Sequence, residues 1–189
     1  MSNRDQELMR STQAGDHASF AELVDRFRPR LLRFSRSSLR DSQLAEDVVQ
    51  ETFLAVYRSR HTYNPTFAVS TWVWTILLNL VRRTRIRLAT RQQHEAASLA
   101  VRSVQIPSNR DEDREQLDLW LSLIPEAEAD ALRLRFFGEL SFEQIAASME
   151  SSVSGAKLRV RNGLERLSEL ARIEQKDSLG TDASSGEMR

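Results

Sequence analysis

Asp47-Val-Val-Gln-Glu-Thr-Phe53 is the stretch on which the reading of this chain turns. It continues through Leu54-Ala-Val-Tyr57 and, after a short break, into Ser70-Thr-Trp-Val-Trp-Thr-Ile-Leu-Leu-Asn79. Wound as a helix, the first part puts Ala45, Val48, Val49, Thr52, Phe53 and Val56 on one face. That is an i, i+3, i+4 apolar stripe, and such a stripe packs inward. The opposite face carries Gln43, Glu46, Asp47 and Gln50, with Glu51 at its edge. It offers carboxylates and an amide but no catalytic partner, and taken alone it reads as a solvated helix face. The second part holds Trp72 and Trp74, then Asn79, then Arg82-Arg83-Thr-Arg85-Ile-Arg87. Aromatics beside a dense run of arginine are the pattern of a nucleic-acid surface. Core packing is the alternative for the two tryptophans, and it is expected to hold for one of them.

Composition sets the frame around this stretch. The chain has 189 residues, 40% hydrophobic and 29% charged, which suits one or two small globular domains. Only 6 Gly and 4 Pro, with abundant Leu, Ala, Arg and Glu, favour an all-helical protein. The formal charge is +0, which alone argues against a nucleic-acid binder, yet the charge is unevenly placed. Arginine dominates 26–40 and 82–91, whereas the acids of 111–130 face only Arg114. With no cysteine, disulfides, thiolate metal sites and thiol switches are excluded. Three scattered histidines make a zinc site unexpected, and no cofactor is anticipated. The polar start Met1-Ser-Asn-Arg-Asp5 has no apolar region behind it, so no signal peptide is expected. The longest apolar run, near Ile76-Leu77-Leu78, is too short for membrane insertion, and a cytosolic protein is anticipated.

Taken in order, the chain predicts a short first helix over Asp5–Thr12 with Leu8 and Met9 inward. Gly15-Asp16 breaks it, and Asp16 is suited to N-cap the next helix. Phe20, Leu23, Val24, Phe27, Leu31 and Phe34 give that helix a strong stripe from His17 to Ser37, with Pro29 inside it as an expected kink. Asp41 caps a helix to about Arg60. His61 to Ala68 is a loop with turn chemistry at Asn64-Pro65 and two aromatics, Tyr63 and Phe67, that are unusual in a plain connector. A helix over Val69–Thr90 buries Val73, Ile76, Leu77, Leu80 and Val81 and shows Trp72, Thr75, Asn79, Arg82, Arg83 and Ile86 on its other side. Periodicity is then lost. The whole reads as all-α, two helical domains joined by a flexible linker. The boundaries are 1–91 for the first domain, 92–110 for the linker, 111–174 for the second domain, and 175–189 for a disordered tail.

The second domain opens with Leu117, Trp120, Leu121 and Ile124 on a helix face stopped by Pro125, which then opens the helix Glu126–Phe137. Gly138 is the expected C-cap. Ser141-Phe-Glu-Gln144 is a capping box. After a break at Glu150-Ser-Ser152 comes a longer basic helix from Val153 to Arg172 with Lys157, Arg159, Arg161 and Arg166. A short helix, a tight turn and a longer basic helix form the helix-turn-helix pattern, with Ala146 at the close approach. Gly163 weakens the basic helix by about 1 kcal/mol against alanine.

These residues together resemble the extracytoplasmic-function (ECF) group of RNA polymerase sigma factors in the sigma-70 family. The resemblance spans Gly15 to Arg172. It is carried by Gly15-Asp16 with Phe20, Asp47-Val-Val-Gln-Glu-Thr-Phe53, Ser70-Thr-Trp72 with Asn79, Leu123-Ile-Pro125, and Leu140-Ser-Phe-Glu-Gln-Ile-Ala-Ala147. The likeness implies that the first domain is sigma region 2. Its Asp47, Gln50 and Glu51, with Gln43 and Glu46, would dock on core RNA polymerase. The loop 60–71 would take a flipped base of the −10 promoter element, with Tyr63, Asn64, Phe67, Trp72 and Asn79 around it. Arg82, Arg83 and Arg85 would meet backbone phosphate. The second domain would be sigma region 4, reading the −35 element through Ser154, Lys157, Leu158, Arg161 and Asn162. Promoter DNA and an anti-sigma factor are the further partners it implies.

General physics is compatible with each implied role. Unstacking a base costs a few kcal/mol, and an aromatic face returns about 1–3 kcal/mol per stacked base. Arginines neutralise phosphates without reading sequence, and Lys157 and Arg161 are long enough to reach base edges. No acid–base pair, nucleophile or metal cluster points to an enzyme. The rival reading is a helix-turn-helix transcription regulator that does not replace the sigma subunit. A purely helical scaffold leaves the arginine clusters and Trp72 without a purpose.

Overall fold

Helix caps and apolar stripes set the element boundaries in the computed structural model, which describes residues 3–96 and 112–184. Helix α1 is Asn3–Gln13 and buries Leu8 and Met9, as their spacing predicts. Helix α2, His17–Leu39, starts at Asp16, whose side chain accepts from Ala18 N at 2.9 Å and Ser19 Oγ at 2.6 Å. It runs unbroken past Pro29. Arg40, in the left-handed region at φ 54°, ends it. Helix α3, Ser42–Arg58, is capped by Asp41 through Leu44 N at 3.0 Å. A single 3-10 turn, Arg60–Thr62, leads into the loop before helix α4, Val69–Ala96.

The stripe on α3 turns inward as its period requires. Ala45, Val48, Val49, Thr52 and Val56 are buried, and Phe53 is half-buried. They close a core with Phe27, Leu31 and Phe34 of α2 and Val73, Trp74, Leu77 and Leu78 of α4. Trp74 is the core member of the tryptophan pair, edge-on to Phe34 at 5.5 Å between ring centroids. Burying an aromatic of this size is among the larger contributions a helical core receives.

The second module contains α5 (Glu112–Leu123), α6 (Glu126–Phe136), α7 (Phe142–Ser148) and α8 (Val153–Ser184). The capping box is present in both directions. Ser141 Oγ accepts from Gln144 N at 3.3 Å, and Gln144 Oε1 accepts from Ser141 N at 2.9 Å. At the end of α6 the expected glycine cap is displaced by one residue. Glu139, at φ 58°, takes the left-handed conformation instead of Gly138. Gly138 is needed for space, since a Cβ there would lie 2.7 Å from Leu134 O and 3.0 Å from Trp74 Cζ2. Gly163 likewise lets α8 approach α6, because a Cβ would meet Leu132 Cδ1 at 2.8 Å.

Two boundaries differ from the sequence reading. Helix α4 runs on to Ala96, into the segment read as linker, and residues 97–110 of that segment lie outside the described residues. Helix α8 runs on to Ser184, past Glu174, where a disordered tail is expected. Helix formers such as Glu174, Gln175 and Lys176 extend it, and the lone Gly180 costs only about 1 kcal/mol. Residues 185–189 of the tail are outside the described residues.

The two modules pack on each other, α4 against α7 and α2 against α5 and α6. Gln144 Nε2 donates to Ser70 Oγ at 2.6 Å, and Arg133 Nε donates to Ser37 Oγ at 3.0 Å. No strand occurs among the described residues, so the all-α expectation holds.

Candidate nucleic-acid and partner interfaces

The polar face of α3 is a surface, as its spacing implies. Gln43, Glu46, Asp47, Gln50 and Glu51 are all exposed. Gln43 donates to Asp47 Oδ1 at 3.2 Å, and Arg36 donates to Glu46 at 2.8 Å, so Gln50 and Glu51 carry the least encumbered polar groups of the set. Periodicity does not reveal the groove beside this face. Between α2 and α3 lies an open apolar trough of about 520 Å³, walled by Phe20, Val24, Leu32, Val49, Phe53 and Leu54. Glu46 and Gln50 line it too. Leu54 is 47% exposed, a large apolar side chain beside carboxylates. The signal was present as Leu54 next to the inward Phe53, but the pattern of α3 alone does not supply the second wall.

The loop between α3 and α4 sorts its aromatics. Phe67 is 59% exposed, and Asn64 and Asn79 are exposed as expected. Tyr63 is a correction: only 5% is exposed, its hydroxyl donates to Phe67 O at 2.6 Å, and its ring packs on Trp72 at 5.2 Å. Burial raises its phenol above the ordinary value, against a hydrogen bond from Gln6 and the charge of Arg10. Tyr63 thus packs into the loop from within. Trp72 is half-buried behind it. Asn64 Oδ1 accepts from Thr66 N at 3.0 Å and Thr66 Oγ1 at 2.8 Å, which tightens the turn after it.

The arginines of α4 also divide. Arg83 and Arg87 are exposed. Arg85 turns to the second module, where it donates to both oxygens of Asp130, at 2.7 and 3.0 Å, and to Glu126 and Ser38. Arg82 lies 4.0 Å from the same Asp130. Burial opposes the charge of Arg85, while Asp130 and Glu126 hold its guanidinium above the ordinary value. In this arrangement Arg85 is not a free phosphate contact, because a carboxylate already fills its fork.

On α8, Ser154, Lys157, Leu158 and Arg161 are exposed at i, i+3, i+4 and i+7, and Asn162 is half-buried at the edge. The start of the helix is fixed by Ser152, whose Oγ accepts from Gly155 N at 3.0 Å. Arg161 lies 3.7 Å from Glu165, an exposed i, i+4 pair of little energetic weight. Among the described residues no cluster of His, Cys, Asp or Glu is arranged to hold a metal. None of the described helices is long and apolar enough to cross a membrane.

A helical module with an acidic, groove-flanked face and a basic helix, joined to a helix-turn-helix module, defines a two-part DNA-binding protein built to sit on a partner. Comparison with known proteins narrows this class. Residues 23–92 match the family model described as Sigma-70 region 2, and residues 120–169 match Sigma-70, region 4. The RNA polymerase sigma factor CarQ of Myxococcus xanthus is 34% identical over 162 residues, covering 82% of this chain and 91% of CarQ. The ECF RNA polymerase sigma factor RpoE of Cereibacter sphaeroides is 29% identical over 158 residues, covering 80% of this chain and 86% of RpoE. The fold matches CnrH, solved in complex with the cytosolic domain of CnrY, with TM-score 0.72 at 22% identity over 90% of this chain and 99% of CnrH. It also matches RpoE of Bartonella quintana, solved with the anti-sigma factor NepR, with TM-score 0.68 at 23% identity over 82% of this chain and 97% of RpoE. The chain belongs to the ECF group of sigma-70 RNA polymerase sigma factors. The rival reading, a helix-turn-helix regulator that leaves the sigma subunit in place, explains neither the region 2 match nor the groove.

Proposed function

We propose that this chain joins core RNA polymerase as an alternative sigma factor and directs it to promoters with a −10 and a −35 element. Region 2, within 1–91, docks on the polymerase through Gln43, Glu46, Asp47, Gln50 and Glu51, with the α2–α3 groove taking an apolar side chain of the partner. The loop 60–71 captures an unstacked −10 base at Asn64 and Phe67, with Asn79 nearby and Tyr63 and Trp72 as its packed backing. Arg82 and Arg83 meet the phosphates, and Arg85 joins them once released from Asp130. Region 4, within 111–174, reads the −35 element with Ser154, Lys157, Leu158, Arg161 and Asn162. The observation that carries this reading is the polar face of α3 and its groove, because a free-standing duplex-DNA regulator needs neither.

Regulation by an anti-sigma factor is part of the proposal. One structural neighbour, RpoE of Bartonella quintana, was solved with the anti-sigma factor NepR, and the groove beside α3 offers an apolar seat to such a partner. The test of function is run-off transcription with core polymerase and a genomic DNA library. Transcripts starting at a shared two-element sequence are expected. Specific duplex binding by the isolated chain, with no transcription when core polymerase is added, would return the rival reading.

A further inference from the structure

The base-capture loop has little regular structure of its own to hold its backbone. Partly buried carbonyls require donors, and the connector supplies some itself, Tyr63 N to Arg60 O at 3.3 Å and Phe67 N to Asn64 O at 3.1 Å, but none of these ties the loop to the rest of the module. Helix α1 adds the donors that make that tie. Gln13 Nε2 donates to Arg60 O at 2.7 Å and sits 3.5 Å from Tyr63 O, spanning the 3-10 turn and its exit. Gln6 Nε2 reaches Pro65 O at 3.4 Å. One amide group carries two donors, so Gln13 ties both carbonyls to α1, beside the loop's own bond from Tyr63 N to Arg60 O at 3.3 Å. The loop then closes on itself through Tyr63 Oη to Phe67 O at 2.6 Å, which leaves Phe67 outward. Helix α1 is anchored for this task by Leu8 and Met9, both in the core. It also precedes the residues matched by the region 2 family model, which begins at residue 23.

We infer that α1 is a positioning element for promoter opening: Gln13, assisted by Gln6, holds the loop 60–67 in the shape that receives the unstacked base. This rests on the reading of that loop as the −10 pocket. A loop ordered before the base arrives loses less conformational freedom on binding, so the gain appears as affinity for the single strand. Gln13 and Gln6 touch no base themselves. Their effect passes through the backbone of Arg60, Tyr63 and Pro65.

The experiment uses the full chain assembled with core polymerase and, as probe, a non-template-strand oligonucleotide spanning the −10 region of a promoter this holoenzyme transcribes. Gln13→Met keeps the length and removes both donors, and Gln6→Met does the same at the second contact. Gln13→Met is expected to weaken oligonucleotide binding roughly tenfold. Hydrogen exchange should quicken across 60–68 alone, with core affinity unchanged and the melting temperature lowered by no more than a few degrees, since the two carbonyls are only partly buried. Gln6→Met should give a smaller loss in the same direction. The exposed variants Asn64→Ala and Phe67→Ala serve as the control for the pocket itself. Loss in those two with wild-type binding by both glutamine variants overturns the role of α1 and leaves the pocket standing. Wild-type binding by all four overturns the pocket reading and this inference together.

Discussion

Arg85 and Asp130 form a bidentate pair across the two modules, Nη2 to Oδ1 at 2.7 Å and Nη1 to Oδ2 at 3.0 Å. Asp130 is 1% exposed and is the shared anion of a cluster, since Arg133 Nη1 also reaches Oδ1 at 3.5 Å. Burial lowers the Arg133 guanidinium to about 10 even with Asp130 beside it. Removing this one carboxylate takes the bidentate partner from the half-buried Arg85, which keeps Glu126, and leaves the buried Arg133 bonded only to the hydroxyl and carbonyl of Ser37. Asp130→Asn is therefore expected to destabilise the closed arrangement by about 3–5 kcal/mol. Thermal melting followed by circular dichroism reads this as a clear drop in melting temperature. An unchanged melt would mean that the pair carries no weight.

The same pair predicts how the arginines of α4 divide in DNA binding. Each phosphate contact adds about 0.7–0.9 to the slope of log affinity against log salt. In the free chain, Arg83→Ala and Arg87→Ala should each lower the slope by about that amount, because both side chains are exposed. Arg85→Ala should leave the slope of the free chain almost unchanged while Asp130 holds the guanidinium. In the holoenzyme on promoter DNA, Arg85→Ala should lower it like the others. A salt titration of DNA binding over a tenfold concentration range separates the cases.

The proposed docking face makes a prediction free of folding effects. Asp47 and Glu51 are exposed, and neither contributes to the core. Reversing both to lysine should leave the melting temperature within a degree or two and weaken core binding at least a hundredfold, as expected when like charges are set against each other. Leu54→Asp places a charge on the groove wall and should weaken core binding at least tenfold. Size-exclusion co-migration with core polymerase at low ionic strength is the measurement.

Two glycines give a stability comparison. At Gly163 the new methyl of alanine meets the buried Leu132 side chain, which must shift, while helix propensity returns about 1 kcal/mol, so Gly163→Ala should be mildly destabilising. At Gly138 the methyl meets a backbone oxygen, Leu134 O, and the ring of the buried Trp74. Neither gives way cheaply, and Gly138→Ala should cost about 1–3 kcal/mol. Equal melting temperatures for the two variants would contradict this packing.

Much of this was legible from local signals. Asp16, Asp41 and the Ser141–Gln144 box place helix starts because capping is set by a few neighbouring residues. The inward stripe of α3 and the exposed Asp47, Gln50 and Glu51 follow from helix period alone. What stayed hidden depends on residues distant in sequence. Tyr63 looked exposed because the helix covering it, α1, lies some fifty residues earlier. Arg85 looked like its neighbours because Asp130 arrives from another module. Gly163 read as a helix weakness because Leu132, which needs its space, is on α6. Periodicity reports which face is apolar, and it is silent about what that face meets.

Acid stability is the last quantity the structure fixes. Asp16 is held below its ordinary value of 3.8 by hydrogen bonds from Ser19 and then from Ala18 N. Glu22 is held below 4.5 by Arg4, whose guanidinium donates to both its oxygens at 3.0 and 2.7 Å. Glu143 is held below 4.5 by its own backbone N–H and by Ser141. Each folded-state value lies under the unfolded one, so near pH 4 the unfolded chain binds more protons. Their stabilisation is full above the ordinary carboxylate values and is lost as pH falls through and below them. Asp16→Asn isolates one contribution, since asparagine still caps but does not ionise. The variant should melt below the wild type at pH 6, and the gap should close as pH approaches 2.5. A gap that stays constant across the range would mean that the charge of Asp16 contributes nothing to the cap.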